Sequence, residues 1–349
     1  MKKLRMGVLG CSKHYSLRIA LPLKKSAHFV VPYAIASREE EKAKEFAALW
    51  GFSKAYGSYE ELLSDPKVDF VYIPLPNHLH LKYIKESADA GKHIICEKPI
   101  CLSADEVKHA LNYCKEKDII LMEAFMYRFH PQWTYAKELI LAGEIGEVLT
   151  VHGHFSYTNK DGNNIRNKAD CGGGALYDIG CYTVSTARFL FGHEPIRVVS
   201  NIVYDHSFNT DILSSGMLDF GEGRIATFSV STQMFPYQRI TAIGSSGSLS
   251  IELPFNVYPD THAKVIVSTS IGQRTIEIEI VNQYVLEFDA FAHAIIQKTH
   301  APISCLDSVS NMAVIDALFK SAKTGAWEIV QNRRKNDREK ISIGDQNIY

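Results

Sequence analysis

The chain has 349 residues, 46% of them hydrophobic and 22% charged, with a formal net charge of -1. That balance suits a globular protein of two domains, and the absence of clustered Lys and Arg argues against nucleic acid as the main partner. No run of about 18 apolar residues is present, so no membrane span is expected.

The segment 1–5 leads into an apolar run that is short and lacks a small-residue cleavage site, so no signal peptide is expected. Seven dispersed cysteines without a Cys-x-x-Cys pair suggest reduced thiols in a cytoplasmic protein and no metal site. Residues 6–12 then read as a short strand turning into a helix over 16–25. Gly7 and Gly10, followed by the small Cys11 and Ser12, make a degraded Gly-x-Gly-x-x-Gly phosphate fingerprint. Gly10 allows close backbone approach, and the helix start beyond it attracts a pyrophosphate. A plain strand–turn–helix connection fits these residues equally well. Strand 29–36 follows, with Pro32 pointing to an edge or an irregular start. It ends in Ser37-Arg38, where an NAD-selective site would place Asp or Glu on the ribose 2′-hydroxyl. Arg38 suits a 2′-phosphate instead. NADP is therefore favoured, with NAD as the alternative; Ser37 also reads as N-cap of a helix over 38–49.

A small strand near 55–56 precedes Ser58, which opens a short helix at capping-box spacing. Buried strand 68–73 ends in Pro74-Leu75-Pro76-Asn77-His78-Leu79-His80, a stiff polar loop fit to wall a nicotinamide ribose, with Asn77 capping a helix to about 90. His78 and His80 diverge on a helix start, so structural use outweighs metal binding. The stretch Ile94-Ile95-Cys96-Glu97-Lys98-Pro99 organises the rest. It reads as a buried parallel strand delivering Lys98 to the crevice outside the carboxyl ends of the sheet. Pro99 lacks an N–H and keeps Lys98 extended. An ordinary strand-end lysine facing water is the competing reading. Helix 103–117 and strand 119–122 complete a strand–helix alternation that implies a doubly wound parallel sheet, an α/β domain over 1–123.

From 124 onward the pattern changes. Met126-Tyr127-Arg128-Phe129-His130-Pro131 leads to a helix over 132–142 and an alternating strand from Val148. A polar loop, 159–170, carries Arg166, and Gly172-Gly173-Gly174 gives a pliable entrance to a helix over 175–191. The β-runs 196–205, 211–220, 224–233, 238–243, 248–253, 263–269 and 273–280 imply an open, mostly antiparallel sheet. Helices near 284–298 and 307–324 close the fold, and the charged stretch 333–340 reads as solvated. Together these make an α+β domain over 124–349.

Asp178 and Tyr182 are four residues apart and share a helix face. Gly180 between them costs about 1 kcal/mol in a helix; it reads either as a site of close ligand approach or as helix–sheet packing. Tyrosine is a natural proton donor to a carbonyl oxygen, but its free pKa is about 10. An ammonium about 4 Å away is worth roughly 4 kcal/mol at an effective dielectric of about 20, and lowering the phenol by two units needs about 2.7 kcal/mol. Lys98 beside Tyr182 would therefore suffice to tune it.

Gly7-Val8-Leu9-Gly10-Cys11, Ala36-Ser37-Arg38, Pro74-Leu75-Pro76-Asn77-His78-Leu79-His80, Glu97-Lys98-Pro99, Gly143-Glu144-Ile145-Gly146 and the run from Gly172 to Tyr182 occur in an order and spacing that resembles the Gfo/Idh/MocA oxidoreductases. The resemblance implies a Rossmann domain, a C-terminal α+β domain, and a homodimer or homotetramer formed through the C-terminal sheet. It implies a catalytic Lys98, with Tyr182 where many members have histidine. That substitution is similar to the branch holding dihydrodiol dehydrogenases, xylose dehydrogenases and nucleotide-sugar ketoreductases, in which the tyrosine donates or accepts the proton. Arg128 and Arg166 are implied near cofactor or substrate. The expected cofactor contacts are Gly7, Gly10, Cys11, Ser12, Ser37, Arg38, Pro74, Leu75, Asn77, His80, Glu97, Lys98 and Arg128. Arg166, Asp178 and Tyr182 are the expected contacts to a sugar-like substrate. The expected activity is NADP-dependent oxidoreduction of a sugar or polyol. A nucleotide-sugar ketoreductase and a non-catalytic NADP-binding sensor are the alternatives; fold alone does not separate them.

Overall fold

The computed structural model describes residues 2–258 and 260–331; the charged stretch 333–340 lies outside the described residues. Contacts group into two compact units, Met1–Phe129 with Asn282–Val309, and His130–Val281 with Ser310–Tyr349. The chain thus leaves the first unit and returns to it, so no single cut separates the two.

The first unit alternates strand and helix: β1 (Leu4–Leu9), α1 (Ala20–Ser26), β2 (Val30–Ala36), α2 (Glu40–Trp50), β3 (Lys54–Tyr56), α3 (Tyr59–Leu63), β4 (Phe70–Ile73), α4 (His80–Asp89), β5 (His93–Glu97), α5 (Ala104–Glu116) and β6 (Leu121–Ala124). The strands form one parallel sheet in the order β3-β2-β1-β4-β5-β6. That is the doubly wound Rossmann order, whose strand direction of progression reverses at β1/β4. β4 is buried throughout, as expected of a parallel strand covered on both faces. Pro32 is the third residue of β2, before the stretch that pairs with β3, so the strand starts irregularly there, as expected. It lies inside β2 opposite Met6, where the register with β1 slips, and that irregularity accommodates its missing N–H.

The second unit opens with α6 (Pro131–Leu141), β7 (Val148–Thr158) and α7 (Cys181–Phe191). There follow β8 (Arg197–Tyr204), β9 (Asp211–Gly221), β10 (Arg224–Ser231), β11 (Gln233–Gly244), β12 (Gly247–Ile251), β13 (Ala263–Thr269) and β14 (Gly272–Ile278). Helix α8 (Gln283–Gln297) belongs to the first unit, and α9 (Cys305–Thr324) and β15 (Glu328–Ile329) end the described chain. The nine-stranded sheet runs β14-β13-β12-β11-β7-β10-β9-β8-β15. It is antiparallel except for the β7/β10 pair, which is parallel. α7 is buried along most of its length. Its C-terminal end is held by Lys137, whose Nζ donates to the carbonyls of Phe189 and Leu190 at 2.9 and 3.0 Å, a favourable place for a cation at a helix end. Among the described residues no helix is long and apolar enough to cross a membrane.

Candidate active site

In the first unit the expected cofactor residues, Gly7 excepted, lie at or beyond the carboxyl ends of the strands. Gly10 follows β1 with φ +108°, and a Cβ there would stand 3.0 Å from Leu75 Cδ2. At that φ any other residue would be strained, and its Cβ would press on Leu75, so the turn favours glycine and close backbone approach. Ser12 Oγ accepts from Tyr15 N–H at 3.1 Å, which sets the start of the following helix. That start is a wide π-type turn, Tyr15–Ile19. Gly7 plays a different part from Gly10. It sits inside β1, and a Cβ on it would stand 2.6 Å from Leu62 Cδ2 and 3.0 Å from Val68 Cγ1. It is a packing glycine, so the turn is formed by Gly10, Cys11 and Ser12 alone.

At the end of β2, Ser37 is buried and its Oγ accepts from Glu39 N–H at 3.3 Å. The helix starts later than expected, at Glu40 with Glu39 at the cap position, so Ser37 shapes the turn and does not cap the helix. Arg38 is exposed, and among the described residues no carboxylate forms an ion pair with it. The Tyr59 phenol stands close to both this guanidinium and the Gly10 turn. Burial raises its pKa, and Arg38 opposes that rise.

The loop after β4 contains a short turn, Asn77–Leu79, so Asn77 lies inside the first turn and Pro76 holds the cap position. His80 is fully buried, with Nδ1 2.9 Å from the Pro99 carbonyl and Nε2 2.8 Å from the Leu75 carbonyl. It ties the loop after β4 to the loop after β5. Burial pushes its pKa down while the two carbonyls oppose that. The net shift is downward, and the ring's two carbonyl contacts fix its orientation between the two loops.

β5 ends at Glu97 with Lys98 the next residue, and the Lys98–Pro99 peptide is cis. Tyr72 OH donates to Glu97 Oε1 at 2.6 Å, and His14 Nε2 stands 3.5 Å from the same oxygen. Burial alone would raise the Glu97 pKa; His14, Tyr72 and Lys98 outweigh it and hold the carboxyl at about 2. Arg128, following β6, faces Asp307 at 3.7 Å.

Sequence reasoning passed over Glu287, which lies in the apolar helix α8 and is 1% exposed. Its Oε1 has no hydrogen-bond partner among the described residues. Burial, and then the nearby Glu97 charge, raise its pKa well above the ordinary 4.5. A raised carboxyl binds its proton more tightly in the folded state, so its contribution to stability is full below pH 4.5 and is lost as pH rises through the folded value. Glu97 acts with the opposite sign, its stabilisation being present above 4.5 and lost as pH falls toward about 2. Glu287→Gln removes the first term only. Its melting temperature should gain on the parent progressively between about pH 5 and pH 8; parallel melting curves would refute a neutral buried acid at this position.

The second unit holds the expected substrate residues. Leu176–Gly180 is a π-type turn leading into α7, so Asp178 and Tyr182 lie on a widened helical start. Such turns recur at functional sites. Asp178 Oδ2 accepts from Tyr157 OH at 2.5 Å and from Arg166 Nε at 3.0 Å. Tyr157, at the end of β7, is a site residue the sequence did not single out; its only signal was a phenol closing an alternating strand. Burial first, then Asp178, raise its pKa, so it stays a proton donor. Tyr182 is 4% exposed, its ring edge-on to Phe155 at 5.8 Å and tilted against Phe255 at 4.9 Å. Gly180 resolves toward packing: a Cβ there would meet Leu176 Cδ1 at 2.6 Å and Val230 Cγ2 at 3.5 Å.

A strand-end lysine, a dinucleotide-type turn and a helix bearing aspartate and tyrosine define a class of oxidoreductase. The model of the oxidoreductase family with an NAD-binding Rossmann fold matches residues 4–125, and the Gfo/Idh/MocA C-terminal domain model matches residues 133–250. The chain belongs to the Gfo/Idh/MocA oxidoreductase family. It is 37% identical over 335 residues to an uncharacterized oxidoreductase of Rhizobium meliloti, covering 95% of this chain and 100% of that protein. It is 40% identical over 296 residues to the NADP(+) D-xylose 1-dehydrogenase 2 of Haloferax volcanii, covering 84% of this chain and 90% of that one. The structure of a 3-ketoreductase from Actinomadura kijaniata in complex with NADP and TDP-benzene superposes with a TM-score of 0.87 at 28% identity, covering 92% of this chain and 98% of that chain.

Proposed function

We propose that the protein is an NADP-dependent oxidoreductase of a sugar or related polyol. The observation that carries this reading is the polar cluster on Asp178. One carboxylate oxygen gathers a phenol and a guanidinium four residues before Tyr182, a set of donors and acceptors suited to a ligand rich in hydroxyls. Similarity to the D-xylose dehydrogenase and to the NADP-bound ketoreductase supports it. NADP, when bound, supplies or accepts the hydride. Lys98 and Tyr182 act on the same substrate oxygen, Tyr182 exchanging its proton and Lys98 stabilising the charge that develops there. Asp178, oriented by Tyr157 and Arg166, holds a neighbouring hydroxyl. Gly10, Cys11 and Ser12 border the pyrophosphate, while Pro74, Leu75 and Asn77 border the nicotinamide ribose. His80 and Glu97 act one step back, by fixing the loops that carry these groups, and Arg128 stands near the cofactor.

Arg38 is the residue that selects NADP. An added charged hydrogen bond contributes about 1.5–3 kcal/mol, so Arg38→Ala should raise the KM for NADP+ roughly 10- to 100-fold. The KM for NAD+ should hardly move, and an equal rise for both would remove Arg38 from the 2′-phosphate. The function itself is tested on aldoses, ketoses, polyols and nucleotide-sugars, with both cofactors followed in parallel by absorbance. Turnover greatest on free sugars or polyols is the expected result. Turnover confined to nucleotide-sugars selects the ketoreductase, and cofactor binding without turnover selects the sensor.

The reading includes a homodimer or homotetramer built on the nine-stranded sheet. β11 leaves Phe235, Tyr237 and Ile243 exposed, an apolar set suited to a partner copy. The seven free cysteines support a cytoplasmic location.

A further inference from the structure

We infer that Asp211 is a positioning residue for turnover: its carboxylate, delivered from β9, fixes the start of the helical segment that carries Asp178 and Tyr182. The first N–H groups of a helix have no partner within it. They are commonly capped by the side chain just before the helix. Here no local side chain does so, and the residues immediately upstream are glycines. Asp211 enters from 35 residues away. Its Oδ2 accepts from Leu176 N–H at 2.7 Å and from Ser214 OH at 2.8 Å. Asp211 is 2% exposed and Ser214 is fully buried.

The glycine run is shaped to this arrangement. Gly174 has φ +118°, and a Cβ on it would lie 1.9 Å from Asp211 Oδ1, so any other residue would displace the carboxylate. Gly174 N–H donates to the Arg166 carbonyl at 2.9 Å. A Cβ on Gly173 would lie 2.4 Å from that same oxygen. The expected pliable entrance is therefore a packed seam where the Arg166 loop, the helix start and β9 meet. Asp178 N–H donates to the Gly174 carbonyl at 3.0 Å. A shift of Gly174 thus reaches both Asp178 and Arg166, the two ends of one ion pair. A misplacement of about 1 Å in such a group can cost 100-fold in rate.

The inference rests on the reading of Asp178 and Tyr182 as substrate groups, and the experiment separates the two. Asp211→Asn is nearly isosteric but turns an N–H₂ toward donors. The full-length variant is compared with the parent by hydrogen exchange, by NADPH fluorescence titration, and by kinetics on the best sugar of the panel. Exchange across residues 174–183 should quicken about tenfold, the loss of one buried cap, while the six-stranded sheet keeps its rates. The NADPH Kd should stay within about twofold and kcat should fall about tenfold or more. Parent-level exchange over 174–183, or parent-level kcat, overturns the inference. So does a loss of NADPH binding in step with kcat, the mark of general destabilisation. If Asp211→Asn does not fold, Ser214→Ala removes one donor to the same carboxylate and is judged by the same criteria. Parent-level turnover in Tyr182→Phe would sink the catalytic reading separately, while the exchange result would still decide whether Asp211 holds the helix start.

Discussion

Lys98→Ala is expected to lower kcat by about 100- to 10,000-fold, the range spanned by loss of a charge-stabilising or proton-managing group. The side chain follows a strand end whose backbone is set by the sheet, and the residue before it is an ion held low by Tyr72 and His14. On the proposed role, removing the ammonium would leave the developing alkoxide without its cation. If, as proposed, it tunes the Tyr182 phenol, that phenol would become less acidic, and the pH at which kcat/KM rises in the oxidation direction should move upward. Lys98→Arg should recover little, because a planar guanidinium does not reproduce a compact point charge. NADPH affinity should change far less than kcat. A variant that loses affinity and rate together, with an unmoved pH profile, would demote Lys98 to a cofactor contact. Measuring kcat, kcat/KM and NADPH Kd over about pH 6–10 distinguishes these cases.

The strand–helix order of the first unit was readable because buried parallel strands appear as short apolar runs ending in Gly, Pro or charge. Phe70–Ile73 and His93–Glu97 are such runs. The second sheet was readable from period-two alternation, and its seven later runs fall within a few residues of β8 to β14. What escaped was long-range. The parallel pairing of β7 with β10 joins strands 75 residues apart in register, and no local pattern encodes it. Gly7 and Gly10 look alike in the chain, yet one packs beneath Leu62 and the other turns at positive φ. The triple glycine read as slack because the groups filling its space, Asp211 and the Arg166 carbonyl, come from elsewhere. Tyr157 and Glu287 were missed for the same reason. Each takes its character from a partner, Asp178 or Glu97, that only folding supplies.

Tyr182→Phe is the second large effect, and its interpretation is cleaner than that of most active-site changes. The ring is held by Phe155 and Phe255, and phenylalanine keeps those contacts. Only the hydroxyl is lost, so the fold should persist with a melting temperature near the parent's. If the hydroxyl relays the proton, kcat should fall about 100- to 1,000-fold, within the usual worth of general acid–base catalysis. The sugar KM should change by no more than about threefold, because a group acting mainly in the transition state contributes little to ground-state binding. The double variant with Lys98→Ala then becomes informative. Two groups serving one oxygen lose their effect together, so the combined loss should be far smaller than the product of the separate losses. Multiplicative losses would place Lys98 and Tyr182 on different steps. Undiminished turnover in Tyr182→Phe alone would move the proton to another donor, and Tyr157, already hydrogen-bonded to Asp178, would be the next phenol to replace.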